Sequence, residues 1–237
     1  MSRADDSPEP DVSELLVMDL MMGEEDWKPT PHGMYLSEVL ATNNLVRGKS
    51  VLEIGSGTGN NTILLLRLGA AHVVATEITH SLSDTTRQNV ERNVPDARVE
   101  YRVADWLSTE GKYDVVLTNP PFCLSGKQNR RYYIDSLILD AHKRLNSGGK
   151  LIFVQSSMAD LPKTLRRLEE NGFDTEVLGE RSGPFRDYYY EAENFIEESQ
   201  AVQGGFQTQD GVDYETLTVV AGTLRPYSPP SMAHIIE

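Results

Sequence analysis

From Ser50 onward the apolar positions of the chain alternate between two patterns, short unbroken runs and runs at helical spacing. The unbroken runs SVLEIG, HVVATEI, VEYRVAD, KYDVVLT and KLIFVQSS are strand-like in length and rich in β-branched residues. Between them NNTILLLRLG, SLSDTTRQNVERN and YYIDSLILDAHKRL carry apolar residues three and four apart, which predicts helices. Strands separated by helices need crossover connections, so the rhythm predicts a parallel, doubly wound α/β sheet of Rossmann type. A helix at DLPKTLRRLEENG, a strand at DTEVLGER, an irregular aromatic stretch at FRDYYYEAENF and a last strand at YETLTVVAGTL complete the pattern. They predict a mostly parallel, seven-stranded sheet with helices on both faces and an antiparallel hairpin at its C-terminal edge.

Ahead of this region, residues 1–12 read as a disordered tail. SELLVMDLMM then predicts a short amphipathic helix with Ser13 as its cap, and MYLSEVLATNNL a second helix. The Pro-broken stretch DWKPTPHG places Trp27 and His32 in a loop between the two.

Composition narrows the range of functions. With 237 residues, 39% hydrophobic and 24% charged, the chain suits one substantial α/β domain with a short extension. A formal net charge of −14 opposes binding to nucleic acid, whose readers draw affinity from Lys and Arg neutralising phosphates. The densest basic stretch, Lys127 to Arg131, reads equally as a solvated helix start. Cys123 is the sole cysteine, which excludes an intramolecular disulfide and a thiolate-rich metal site and points to a reducing cytoplasm. Neither an export signal nor a membrane span is expected. His72, His80, His142 and His234 lack ligand spacing, so no metal is assigned.

The chemistry concentrates at strand ends. Glu53 to Gly59, EIGSGTG, closes the first apolar strand and opens a helix, where Gly55, Gly57 and Gly59 let backbone approach a ligand beside Ser56. Glu77, at the end of the next strand, is placed to accept hydrogen bonds from both hydroxyls of a ribose. A dinucleotide fingerprint wants its third glycine one residue later, where this chain has Asn60, so the pyrophosphate site is wrong.

The loop instead resembles the glycine motif of class I S-adenosylmethionine-dependent methyltransferases, and the likeness continues over roughly residues 30 to 225. By that resemblance Asp105 contacts the adenine amino group and Trp106 flanks the ring; the alternative makes Asp105 a helix cap and Trp106 a core residue. Asn119-Pro120-Pro121-Phe122 looks like the family's motif in enzymes that methylate planar or amide nitrogens. It implies that Asn119 and an adjacent carbonyl at Pro120 hold the acceptor N–H groups, that Phe122 stacks, and that Asn119 also borders the cofactor. Cys123 reads as pocket wall. The segment from residue 13 to 47 is then a helical lid on a cofactor-binding domain at 48–226, followed by a tail at 227–237. Trp27, His32 and Tyr35 are candidate lid contacts, and Tyr132 and Tyr188 candidate substrate contacts, with ordinary packing as the alternative.

Relatives of this type include release-factor glutamine methyltransferases and ribosomal-RNA guanine methyltransferases. The acidity of this chain and the run KPTPHGMYLSEVL in place of a PRPET-like segment shift the expected acceptor toward a small molecule or peptide. Three readings stay open: nitrogen methylation, closure of the cofactor's own aminobutyryl arm to azetidine-2-carboxylate and methylthioadenosine, and a non-catalytic cofactor-binding module.

Overall fold

The computed structural model describes residues 11–23, 28–105, 108–121, 131–191 and 195–226. The expectations for the two terminal tails beyond these limits, for Trp27, Trp106, Phe122, Cys123, Lys127 to Arg130 and His234 lie outside the described residues. The chain divides into two units, Met1–Ser108 and Thr109–Glu237.

In the first unit, helices α1 (Val12–Leu16), α2 (Pro31–Asn43), α3 (Asn60–Arg67) and α4 (His80–Asn93) accompany strands β1 (Ser50–Ile54), β2 (His72–Glu77) and β3 (Val99–Val103). The strands lie in the order β3-β2-β1, each pair parallel, with Leu52 opposite Val74 and Ala75 opposite Tyr101. Val51, Leu52, Val73 and Val74 are fully buried, which is why both runs read as unbroken apolar stretches. Helix α2 begins earlier than MYLSEVLATNNL suggests. Thr30 caps it, its hydroxyl accepting the Gly33 N–H at 3.1 Å, and Pro31 occupies the first turn, where its missing N–H costs nothing. His32 therefore belongs to a helix, and the loop assigned to it is corrected.

The N-terminal helix is corrected too. It is capped by Asp11, not Ser13, and ends at Leu16; residues 17–23 are not helical. Of the apolar residues in this stretch Leu15 is buried, whereas Val17, Met21 and Met22 are largely exposed. Arg67 draws the carbonyls of Leu15 (3.0 Å) and Val17 (2.6 Å) outward. Helical periodicity thus loses to hydrogen bonds offered by another element.

In the second unit, strands β4 (Tyr113–Thr118), β5 (Leu145–Ser156), β6 (Phe173–Pro184), β7 (Gln207–Gln209) and β8 (Val212–Leu224) are joined through helices α5 (Tyr132–Asp140), α6 (Leu161–Glu170), α7 (Tyr188–Glu191) and α8 (Phe195–Gln200). β4 and β5 run parallel, β8 lies antiparallel between β5 and β6, and β7 also pairs with β8. The Rossmann-like α/β architecture and the antiparallel C-terminal hairpin are as expected, and among the described residues β7 makes the strands eight, not seven. β7 turns into β8 at Asp210-Gly211, both at positive φ, which is the two-residue turn that suits the twist of a hairpin.

The aromatic stretch is not irregular. Phe185, Tyr189 and Phe195 pack with Met158 into a buried cluster, and α7 and α8 form around it. Arg131 is likewise no solvated residue. It is 6% exposed, and its guanidinium donates to the carbonyl oxygens of Ala159 and Asp160, to Thr164 and to the Asp135 carboxylate. Among the described residues no helix is long and apolar enough to cross a membrane.

Candidate functional site

The glycine loop joins β1 to α3 within the first unit. Gly55, Gly57 and Gly59 have φ of +72°, +57° and +85°, values that side chains oppose. At Gly59 space is limiting as well, because a Cβ would stand 3.2 Å from the Thr86 carbonyl oxygen of α4. The N–H groups of Gly55 and Ser56 donate to the Thr76 carbonyl (3.1 and 3.0 Å), continuing the β1–β2 ladder into the loop.

Helix α4 fastens the outer side of that loop. Thr86 Oγ1 donates to the Gly57 carbonyl at 2.8 Å, and Asn89 Nδ2 donates to the Thr58 carbonyl at 2.9 Å. In a trans peptide the carbonyl and the following N–H point opposite ways, so holding the Gly57 carbonyl toward α4 turns the Thr58 N–H away from it. The loop is thereby set to offer a donor to a ligand.

Two carboxylates flank it. Glu77 is 7% exposed; Oε1 accepts the Gly57 N–H at 2.5 Å and Oε2 the Ile78 N–H at 3.1 Å. A carboxylate oxygen has two lone pairs, so each Glu77 oxygen keeps one for a hydroxyl. Glu53 is 1% exposed. Burial pushes its carboxyl up to about 8, and the charge of Glu77 adds to this while the side chains of Thr62 and Asn61 act against it. Thr62 Oγ1 donates to Glu53 Oε2, whereas Oε1 meets no hydrogen-bond donor among the described residues. A cationic group reaching Oε1 would relieve both its missing partner and its suppressed ionisation. This set of acceptors, with glycine backbone between, fits a ligand bearing a ribose and an ammonium group.

Asp105 is exposed just beyond β3, and its backbone carbonyl accepts the Ser108 N–H at 2.9 Å and hydroxyl at 2.8 Å. The following described residues form no helix for it to cap. His32 and Tyr35 of α2 are 4% and 6% exposed. Ser37 of the same helix links to the start of α3, donating to Asn61 Oδ1 at 2.8 Å and accepting from Asn60 Nδ2 at 2.8 Å. α2 is therefore secured to the helix that the loop opens.

In the second unit β4 ends at Thr118, where Asn119 is half-buried and Pro120 buried. Tyr132, at the start of α5, is 41% exposed. Three adjacent tyrosines have three different environments. Tyr188 is 42% exposed under the Arg186 guanidinium, 4.6 Å from its ring. Tyr189 is fully buried and donates to Glu215 Oε1 at 3.0 Å, while Tyr190 donates to Asp213 at 3.0 Å on the surface. Burial pushes the Tyr189 phenol and the Glu215 carboxyl up.

Sequence reading missed Thr62, Thr86 and Asn89, which hold the loop and its acid, and Ile78, which is 70% exposed directly after Glu77. The helical spacing of Thr86 and Asn89, three apart on one face of α4, is the signal that was available.

Known proteins resemble this chain in sequence and in fold. The family model described as methyltransferase small domain matches residues 34–181. A "Putative protein N5-glutamine methyltransferase" of Methanocaldococcus jannaschii is 26% identical over 192 residues, covering 74% of this chain and 95% of that protein. The ribosomal protein L11 methyltransferase of Lactobacillus johnsonii is 33% identical over 130 residues, but the match covers 54% of this chain and only 38% of that longer protein. In fold, the crystal structure of a "putative RNA methyltransferase" from Pyrococcus horikoshii superposes with a TM-score of 0.61 at 17% identity, covering 91% of this chain and 96% of that one. With the glycine loop, its flanking acids and a family match over most of its length, the chain belongs to the methyltransferase small domain family of S-adenosylmethionine-dependent enzymes.

Proposed function

We propose that this chain transfers the methyl group of S-adenosylmethionine to a nitrogen of a peptide or small-molecule acceptor, with a side-chain amide of a protein as the foremost class. The observation that carries this reading is Asn119-Pro120 directly after β4, with Asn119 half-buried and Pro120 buried. Strand carboxyl ends are where open α/β sheets take their ligands. The acceptor class is favoured by the glutamine methyltransferase named above, which the match covers almost entirely. The net charge of −14 argues against an RNA acceptor.

In this reading Glu77 accepts the ribose hydroxyls, the Glu53 carboxylate faces the cofactor's ammonium group, and Asp105 accepts from the adenine amino group. Bound S-adenosylmethionine supplies a methyl carbon made electrophilic by its sulfonium sulfur. The Asn119 side-chain oxygen and the Pro120 carbonyl accept the N–H bonds of the acceptor, which fixes the direction of the nitrogen lone pair. The proton lost from nitrogen passes to water, and no side chain has to act as a general base. Tyr132 and Tyr188, each about two-fifths exposed, offer aromatic surfaces to an acceptor. Residues 13–47 serve as the lid segment of the catalytic domain at 48–226.

Methyl-labelled cofactor incubated with glutamine-containing peptides, and separately with no acceptor, tests this. Label in the peptide, with turnover lowered at least a hundredfold by Asn119→Ala and cofactor affinity changed far less, is the expected result. Methylthioadenosine with an equimolar four-carbon amino acid in the acceptor-free sample establishes cyclisation instead. Full turnover by Asn119→Ala removes Asn119 from the site.

A further inference from the structure

The N-terminal stretch that follows α1 is held in an unusual way. Asn89 of α4, completely buried, accepts the Met21 N–H at 2.7 Å and donates to the Met21 carbonyl at 2.8 Å. One turn later Asn93 repeats the arrangement on Asp19, accepting its N–H at 2.9 Å and donating to its carbonyl at 2.8 Å. Arg67 of α3 takes the carbonyls of Val17 and Leu15. Beyond α1 the bonded residues are 17, 19 and 21, every second one, and at 19 and 21 both N–H and carbonyl are used. That is the pattern a β-strand presents to a neighbouring strand, supplied here by side chains projecting from two helices. Because the contacts are to main chain, they read conformation more than side-chain identity. Arg92 adds an ion pair with Asp19 at 3.0 Å on the surface.

Asn89 also makes the bond to the Thr58 carbonyl inside the glycine loop. One buried carboxamide thus grips the strap and the cofactor loop together, with its oxygen on Met21 and its nitrogen divided between Met21 and Thr58. Asn89 Nδ2 has two hydrogens and both are committed. Without the strap, the carboxamide oxygen loses its donor and one hydrogen its acceptor, and the buried side chain has reason to rotate away from Thr58. The Thr58 peptide then loses one of the two anchors, Thr86 and Asn89, that orient the loop.

We propose that Asn89 is a positioning residue for the cofactor: the strap of residues 17–21, docked on α3 and α4, sets the glycine loop through Asn89 and thereby raises affinity for S-adenosylmethionine. Neither the strap nor Asn89 touches the cofactor in this scheme. The inference rests on the cofactor reading of the loop.

The test measures binding of S-adenosylmethionine and S-adenosylhomocysteine to the full chain by calorimetry. Met21→Pro deletes the N–H that Asn89 accepts and leaves α4 intact; Met21→Leu keeps that N–H; Asn89→Ala removes the bridge. Met21→Pro and Asn89→Ala are each expected to weaken binding about tenfold, with amide exchange at Thr58 and Gly59 accelerated. The double variant is expected to be no weaker than either single, since both cut the same link, and Met21→Leu to stay within twofold of the parent. Unchanged affinity in Met21→Pro, or a double variant weakened by the product of the two single effects, overturns the coupling. Should Asn89→Ala not fold, Met21→Pro against Met21→Leu decides alone. A parent chain that binds neither ligand overturns the cofactor reading itself.

Discussion

Glu53 shows how strongly the fold perturbs a single buried side chain beside the glycine loop. Its carboxyl sits at the end of β1 with burial holding it up to about 8, against an ordinary value of 4.5. Between those two values the folded state carries a proton that the unfolded state has released. Stability therefore declines as pH rises through this window, on the order of 1 kcal/mol per pH unit at most. Glu53→Gln, which stays neutral, is expected to flatten the fall in urea midpoint between pH 5 and 8. An equally steep profile in the variant would assign the dependence to other groups, of which Glu215, also pushed up by burial, is the first. The motif made Glu53 and the glycines legible in sequence, and the end of the next apolar strand made Glu77 so, because both signals are local. The partners Thr62, Thr86 and Asn89 were not, since their hydrogen bonds join positions 9, 29 and 31 residues apart.

At the level of elements, α5 and α6 are tied by the Arg131 guanidinium rather than by apolar packing alone. It satisfies the carbonyls of Ala159 and Asp160 at the turn leading into α6, the Thr164 hydroxyl within it, and the Asp135 carboxylate one turn along α5. Asp135 is 17% exposed and its second cation, Arg167, stands at 3.5 Å. Removing one member of a buried pair leaves the rest uncompensated, at a cost of about 3 kcal/mol. Arg131→Ala is thus expected to lower the unfolding free energy by about that amount, measured by urea denaturation; a change under about 0.5 kcal/mol would mark the cluster as solvated. The sequence placed Arg131 in a basic run, and the run by itself carries no sign of the carbonyls waiting 28 residues on. The β7–β8 hairpin went unread for a different reason: the strand before the Asp210-Gly211 turn has three residues, too few for alternation to register.

For the molecule as a whole, charge bears on the choice of partner. With 36 acidic against 22 basic residues, encounter with a polyanion is opposed at low ionic strength, where steering is strongest. Ribosomal RNA is accordingly expected to show no retention in a filter-binding assay at low salt, while a glutamine peptide accepts label. RNA bound with a steep salt dependence would instead show that a local basic surface overrides the total.

The sequence by itself determined strands β1 to β6 and β8 with helices α3 to α6 between them, the glycine loop at the end of β1, and the acid at the end of β2. These follow from apolar periodicity, caps and positive φ, which act over a few residues. Tertiary structure decided the rest. Apolar spacing from Leu15 to Met22 is helical, yet the chain extends beyond Leu16 because Asn89 and Asn93, 68 and 74 residues away, offer hydrogen bonds to its backbone. Three tyrosines in a row look alike, yet Tyr189 alone of them is buried within the Phe185–Phe195 cluster, with its hydroxyl on the Glu215 carboxylate. Such outcomes depend on which distant groups the fold brings within 3 Å, and no local pattern encodes that.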